Sequence, residues 1–166
     1  QPLQSFIDPD APEFIPPGDM PGRVRDFCRR TGQPVPETVG QVTRCIYESL
    51  ALKYRFALAQ LSRSTRQPFT ALHIMGGGAQ AKLLCQMTAS CIGLPVLAGP
   101  VEATALGNLL IQLVALGELS DLDEGRALIA RTQPVRRYEP EETALWTGAF
   151  DRYQTILNQY AAKGGI

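Results

Sequence analysis

The stretch ALHIMGGGAQAKLLCQM (residues 71–87) runs from an apolar segment through three consecutive glycines into a segment with helical spacing. Glycine loses the most backbone freedom on folding and adds no side chain to a core. Three in a row, Gly76, Gly77 and Gly78, therefore imply that the backbone itself must come close to something. A strand that ends in such a turn and opens a helix presents unbonded N–H groups and the positive end of the helix dipole, a combination suited to a phosphate-like anion. The same turn also lets strand and helix pack closely. Its place between strand and helix favours the ligand.

Working outward, FTALHIMG (69–76) reads as a strand buried on both sides, since it is β-branched and aromatic between turn signals. The helix after the glycines runs to about Cys91, and Gly93 and Pro95 bracket a second short strand, PVLAG. PVEATALGNLLIQLVALGEL (100–119) is apolar on nearly every side, which predicts a deeply packed helix. A further helix covers about Leu122–Arg131, TQPVRRYEP (132–140) is a loop, and Pro140 to about Ala161 forms a last helix before a fraying KGGI. Upstream, residues 1–19 form a proline-rich irregular arm, followed by a short helix, Pro21–Thr31, stopped by Gly32. A long helix extends from about Val39 to Ser64. Its apolar stripe is Val42, Ile46, Leu50, Tyr54, Ala57, Leu58 and Leu61, and its wet positions are Arg44, Glu48, Lys53, Arg55 and Arg63.

The 166 residues suffice for one domain with a real core, and 45% apolar against 19% charged residues place the chain among globular proteins. Sixteen basic and sixteen acidic residues give zero net charge, so no electrostatic case exists for nucleic acid or an anionic membrane as partner. The local DFCRRTG (26–32) reads as a solvated helix end. Four cysteines, one histidine and no CxxC give no metal-ligating pattern. Cys28, Cys45, Cys85 and Cys91 read as small buried apolar residues of a reducing, cytoplasmic compartment, with Cys85 and Cys91 on different faces of their helix. The opening segment is polar and has no leader-like apolar core. The longest apolar run, 103–117, is too short to span a bilayer and carries Asn108 and Gln112.

Two nucleotide motifs can be set against the glycines. The Walker pattern lacks its second glycine and its hydroxyl, because Ala81-Lys82-Leu83 stands there. The dinucleotide pattern G-x-G-x-x-[GA] matches as Gly76, Gly78 and Ala81, with Glu102 downstream as a ribose ligand, but too few strands follow to build a parallel sheet. Glu102 also reads as a helix-start residue favoured by the dipole. Lone His73 reads as structural. Trp146 and Tyr153, seven apart, read as core packing, and the DPD of Asp8 and Asp10 as a turn in place of a metal site.

The longer pattern resembles a known family. GGGAQ, LLCQMTA, PVLAGPVEATALGN and the following ALGEL, with FIDPDAPEFIPPGDMPGRVRDFCRRTGQPVPET and IYESLALKYR upstream, are similar to the C-terminal domain of the FGGY carbohydrate kinases, over about residues 4–150. The block GPVEATALGN is the most specific part. The resemblance implies an α/β fold: part of an RNase H-like domain of the actin-like ATPase superfamily, helix-rich with few strands. It implies that the whole chain is the distal part of that C-terminal domain, without the N-terminal sugar-binding domain. By resemblance Gly76, Gly77 and Gly78 contact ATP, and Gln80 and Ala81 lie beside the adenine. The family often carries Asn at the position of Ala81, so adenine recognition here would rest on shape and backbone. EATALGN (102–108) matches a helix that crosses a partner helix near the interdomain hinge, where Gly107 permits close approach.

The reaction implied is ATP-dependent phosphorylation of the 1-hydroxyl of L-rhamnulose or a related ketose, with Mg²⁺. The catalytic Asp, the phosphate loops, the Mg²⁺ ligands and the sugar site all lie outside this segment, so it holds no catalytic residue and is expected to be inactive alone. Two other readings stand beside it: a non-enzymatic kinase-like interaction module that self-associates, and a dinucleotide-binding oxidoreductase piece.

Overall fold

The computed structural model describes residues 1–162, and the KGGI expectation lies outside them. Among the described residues six α-helices and three short strands follow one another as α1 (Met20–Arg30), α2 (Val39–Thr65), β1 (Leu72–Ile74), α3 (Lys82–Ile92), β2 (Val96–Ala98), α4 (Ala103–Ala115), α5 (Leu122–Thr132), β3 (Arg136–Tyr138) and α6 (Thr143–Ala162). Local chemistry sets the boundaries. Asp19 caps α1 by accepting from the Gly22 N–H at 2.9 Å, and Gly32, at φ +69°, follows its end. Thr38 and Gln41 form a reciprocal capping box at the start of α2. Gly93, left-handed at φ +69°, closes α3.

The strands form one sheet in the order β1-β2-β3. β1 and β2 run parallel with His73 opposite Leu97, and β3 is antiparallel to β2 with Arg136 opposite Ala98. Two apolar clusters result. The larger joins the N-terminal arm (Phe6, Ile7, Ala11), α1, α2 and α6, and includes Trp146 and Tyr153 as core residues. The smaller lies between the sheet and α3, around Ile74, Cys85, Ala89, Val96 and Ala98. α3 serves both: Met87 and Cys91 enter the first cluster, Cys85 and Ala89 the second. All four cysteines are buried and free. No helix among the described residues is long and apolar enough to cross a membrane.

The arm is irregular apart from one turn at Pro12–Phe14, yet it is part of the core. The Ile7 N–H donates to Ser49 Oγ at 2.9 Å and the Phe6 N–H to Gln33 Oε1 at 2.7 Å. Side-chain acceptors here do what a neighbouring strand would do elsewhere.

Five expectations are corrected. The strand at 69–76 shortens to three residues, and His73 is exposed, because only the α3 side of β1 is covered. The glycines do not open the α-helix directly: Gly76–Gln80 form a 3₁₀ turn, and α3 starts after Ala81. The loop at 132–140 contains β3, since the free edge of β2 needs partners whatever side chains face it. On α2, Glu48 is buried and Leu61 exposed, because the buried face runs through Val42, Cys45, Glu48, Ser49 and Leu52. α4 is not deeply packed: Leu110 is its one buried residue, while Leu109, Ile111 and the following Leu116 are exposed at 50%, 56% and 76%.

Candidate functional site

The three glycines have three different environments. Gly76 sits at φ +73°, a conformation that L side chains rarely adopt, and its N–H donates to the Pro100 carbonyl at 3.0 Å. Gly78 lies against β1: a Cβ there would be 3.3 Å from Ile74 Cγ2. Gly77 is exposed, has no left-handed backbone, and a Cβ on it would meet nothing within 4 Å. Gly76 and Gly78 are explained by the chain's own geometry and Gly77 is not. A 3₁₀ turn leaves its first two N–H groups without partners inside the turn. Gly76 uses its own on Pro100, which leaves that of Gly77.

The turn is held from both sides. The Gly99 N–H donates to the Ile74 carbonyl at 2.9 Å, stitching the end of β2 to the end of β1. The Ala81 N–H donates to the Gly78 carbonyl at 3.2 Å, and the Ala81 carbonyl accepts from the Cys85 N–H at 2.9 Å. The Cys85 thiol, 3.6 Å from the Gly78 carbonyl oxygen, donates to it as well. Burial pushes the Cys85 pKa up, so the sulfur keeps the proton it donates. Nothing in the sequence signalled this tie.

Beside the turn opens a groove of about 600 Å³, lined among others by Ala79, Gln80, Lys82, Val101, Val135 and Arg136. Its far wall exists because β2 and the approach to β3 touch backbone to backbone: a Cβ on Gly99 would be 2.7 Å from the Pro134 carbonyl oxygen. No carboxylate lines the groove. Of the residues expected at the site, Gly76, Gly77, Gly78 and Gln80 share one turn, and Gln80 lines the groove. Ala81 is half-buried at the start of α3 with both its backbone groups engaged. Among the groove residues that sequence reasoning missed are Lys82, Val101, Val135 and Arg136. Lys82 was visible directly after GGGAQA, whereas Arg136 needed the existence of β3.

The remaining candidates separate from this site. Glu102 precedes α4 and makes no side-chain cap bond. Asp8 and Asp10 form a turn, in which the Asp10 N–H donates to Asp8 Oδ1, with Lys53 Nζ between them at 3.2 and 2.7 Å. Among the described residues no group of three or more His, Cys, Asp or Glu could hold a metal ion. Among the described residues only one pair of strands is parallel, which does not build a dinucleotide-binding sheet.

Residues 1–116 match the FGGY family of carbohydrate kinases, C-terminal domain. The rhamnulokinase of Bacteroides thetaiotaomicron is 47% identical over 157 residues, covering 95% of this chain and 32% of that protein. The rhamnulokinase of Bacillus subtilis is 38% identical over 157 residues, with the same 95% and 32% coverage. The chain thus spans about a third of the length of the curated relatives it matches. Among solved structures, gluconate kinase from Lactobacillus acidophilus aligns with a TM-score of 0.60 at 24% identity, over 74% of this chain and 25% of that one. Xylulose kinase from the same organism aligns with a TM-score of 0.61 at 22% identity, over 78% and 27%. At such identities the likeness establishes the fold alone, shared with these two kinases.

Proposed function

The chain belongs to the FGGY family of carbohydrate kinases, and on that premise we propose that it supplies the nucleotide-holding part of an ATP-dependent sugar kinase. The observation that carries this reading is Gly77: exposed, unconstrained by its own φ, and facing open space where a Cβ would go. A ligand that approaches the main chain supplies the reason for a glycine that the fold does not. Gly76 sets the turn, Gly77 admits the nucleotide, and Gln80 meets it from the groove. Ala81 contributes no side-chain hydrogen bond, so the base is held by shape.

The reaction we assign to the whole protein is transfer of the terminal phosphoryl group of ATP to the 1-hydroxyl of a ketose such as L-rhamnulose. The relatives named rhamnulokinase support that choice. The described residues do not fit Mg²⁺: no carboxylate lines the groove and no acidic cluster of three exists. We therefore derive no step from the metal here and place its ligands, the base and the sugar site in the rest of a longer protein. We read residues 1–166 as one piece of the C-terminal domain. The family match ends at residue 116, yet β3 joins the same sheet and Trp146 and Tyr153 of α6 lie in the same core. Catalysis of this class is chiefly positioning and charge stabilisation, and the part that falls to this chain is positioning. The exposed apolar side of α4 then faces the remainder of the protein near the hinge.

The test is Gly77→Ala in the full-length protein. With open space at the Cβ position the melting temperature should stay within a degree or two. ATP affinity should fall by about tenfold, the loss of one well-made contact of about 1.4 kcal/mol. Unchanged affinity for ATP would remove the support for this reading and favour an interaction module, for which the exposed α4 face speaks.

A further inference from the structure

Two cations of the groove have no internal explanation. Lys82 comes from the first position of α3 and Arg136 from β3, elements separated by more than fifty residues of sequence, and both line the same groove. Both are exposed, and among the described residues neither belongs to an ion pair, whereas the adjacent Arg137 is held by Glu139 at 2.5 Å. The chain as a whole is neutral, so the positive charge is a local concentration and not a general bias. Lys82 also opposes its own helix. A cation at a helix N-terminus is disfavoured by the dipole, and α3 carries no acidic residue in its first turn to offset it. Local choices that contradict the element they sit in are expected where function overrides stability. The groove contains nothing that would satisfy the two charges, and its volume of about 600 Å³ is ample for a ligand that does.

We propose that Lys82 and Arg136 form an anion clamp across this groove that holds a phosphate group of the bound nucleotide. This rests on the nucleotide reading given above and adds two residues to it. The two side chains contribute differently. Arg136 offers a planar fork of donors suited to two phosphate oxygens at once, and Lys82 a compact point charge on a flexible stem. Both are positioning residues: they fix where the phosphates lie relative to Gly77 and take no part in bond making. The groove recognises charge at this end of the ligand, so adenosine, which lacks phosphate, gains nothing from the clamp.

The experiment compares equilibrium binding of ATP, adenosine and inorganic tripolyphosphate to the full-length protein and to its Lys82→Met, Arg136→Met and doubly substituted forms. Both positions are exposed, so the melting temperatures should not move. Each single substitution should weaken ATP about tenfold, as expected for losing one charge-assisted contact, and leave adenosine affinity unchanged. The double variant should bind ATP no better than adenosine. Tripolyphosphate should compete with ATP on the wild type and fail to do so on the double variant. The preference for ATP over adenosine should shrink with added salt in the wild type only, because screening acts on the clamp. Lys82→Arg should retain most of the affinity, and Arg136→Lys should retain less. If the variants bind ATP as tightly as the wild type, the clamp is wrong while the nucleotide reading stands. If the wild type binds neither ATP nor adenosine, the nucleotide reading fails and the clamp with it.

Discussion

The Leu3 N–H donates to both carboxylate oxygens of Glu48, at 3.0 and 2.9 Å, and Arg44 Nη1 pairs with the same group at 3.2 Å. The Glu48 side chain is 2% exposed and ties the N-terminal arm to α2. Arg152 holds the Leu3 carbonyl from α6, so three parts of the chain meet there. Burial pushes the Glu48 carboxyl above its ordinary pKa, against the Leu3 N–H and Arg44, which pull it down. A carboxyl whose pKa is raised on folding binds its proton more tightly in the folded state. The stability it contributes is fully present below the unfolded value and is lost as pH rises through the raised one. Glu48→Gln is neutral at every pH and escapes that loss. The difference in urea midpoint between the variant and the wild type should therefore shift in the variant's favour between about pH 4 and pH 7. A difference that stays constant across that range would show that Glu48 is not held above its ordinary value.

At the scale of the element, Gly99 carries the edge between β2 and the groove. Its φ is +126°, and a Cβ would stand 2.7 Å from the Pro134 carbonyl oxygen, a backbone atom that moves only with its strand. Gly99→Ala should therefore detach β3, at a stability loss of about 2–4 kcal/mol from strain and lost pairing together. Hydrogen exchange reads this directly: protection at β2 and β3 amides should fall while α1 and α2 keep theirs, and uniform protection in the variant would refute it. The same element explains what the sequence could and could not reveal. Helix positions were legible because capping residues and glycines punctuate them, as Thr38, Gly32 and Gly93 do. β3 was illegible because Arg136 and Arg137 show no apolar alternation, and the strand exists through pairing with β2 and not through its own side chains. Glu48 was misplaced because charge alone predicts exposure, and the Leu3 N–H that compensates its burial lies 45 residues away. The glycine turn was legible as a candidate site, but the groove beside it was not, since Lys82 and Arg136 come to line it only through the sheet. The helical phase of Cys85 and Cys91 was legible, and it does split them between the two cores.

The whole molecule divides into two cores bridged by α3, and α4 with α5 stands beside them. The close approach of Gly125 to Leu110, where a Cβ would lie 3.0 Å from Leu110 Cδ2, seats these two helices on each other. That contact uses one side of α4 and leaves Leu109, Ile111 and Leu116 exposed. Hydropathy predicted a deeply packed helix, and the structure instead buries Leu110 alone, because the α5 contact covers one side of α4. Exposed apolar area of this kind marks an interaction surface. When the 166 residues are produced alone, a second copy is the apolar surface available. Sedimentation equilibrium at rising concentration should then give an average mass above 18.1 kDa. Ile111→Glu with Leu116→Glu should return the mass to the monomer without lowering the melting temperature, because both side chains already face water. The same preparation should phosphorylate no ketose above background, since on the reading proposed above the groove and turn only position a nucleotide, and the base and sugar site belong to other parts of the protein. A monomer at every concentration would mean that α4 tolerates water as it is, and measurable turnover would mean that this chain holds more of the enzyme than its turn and groove.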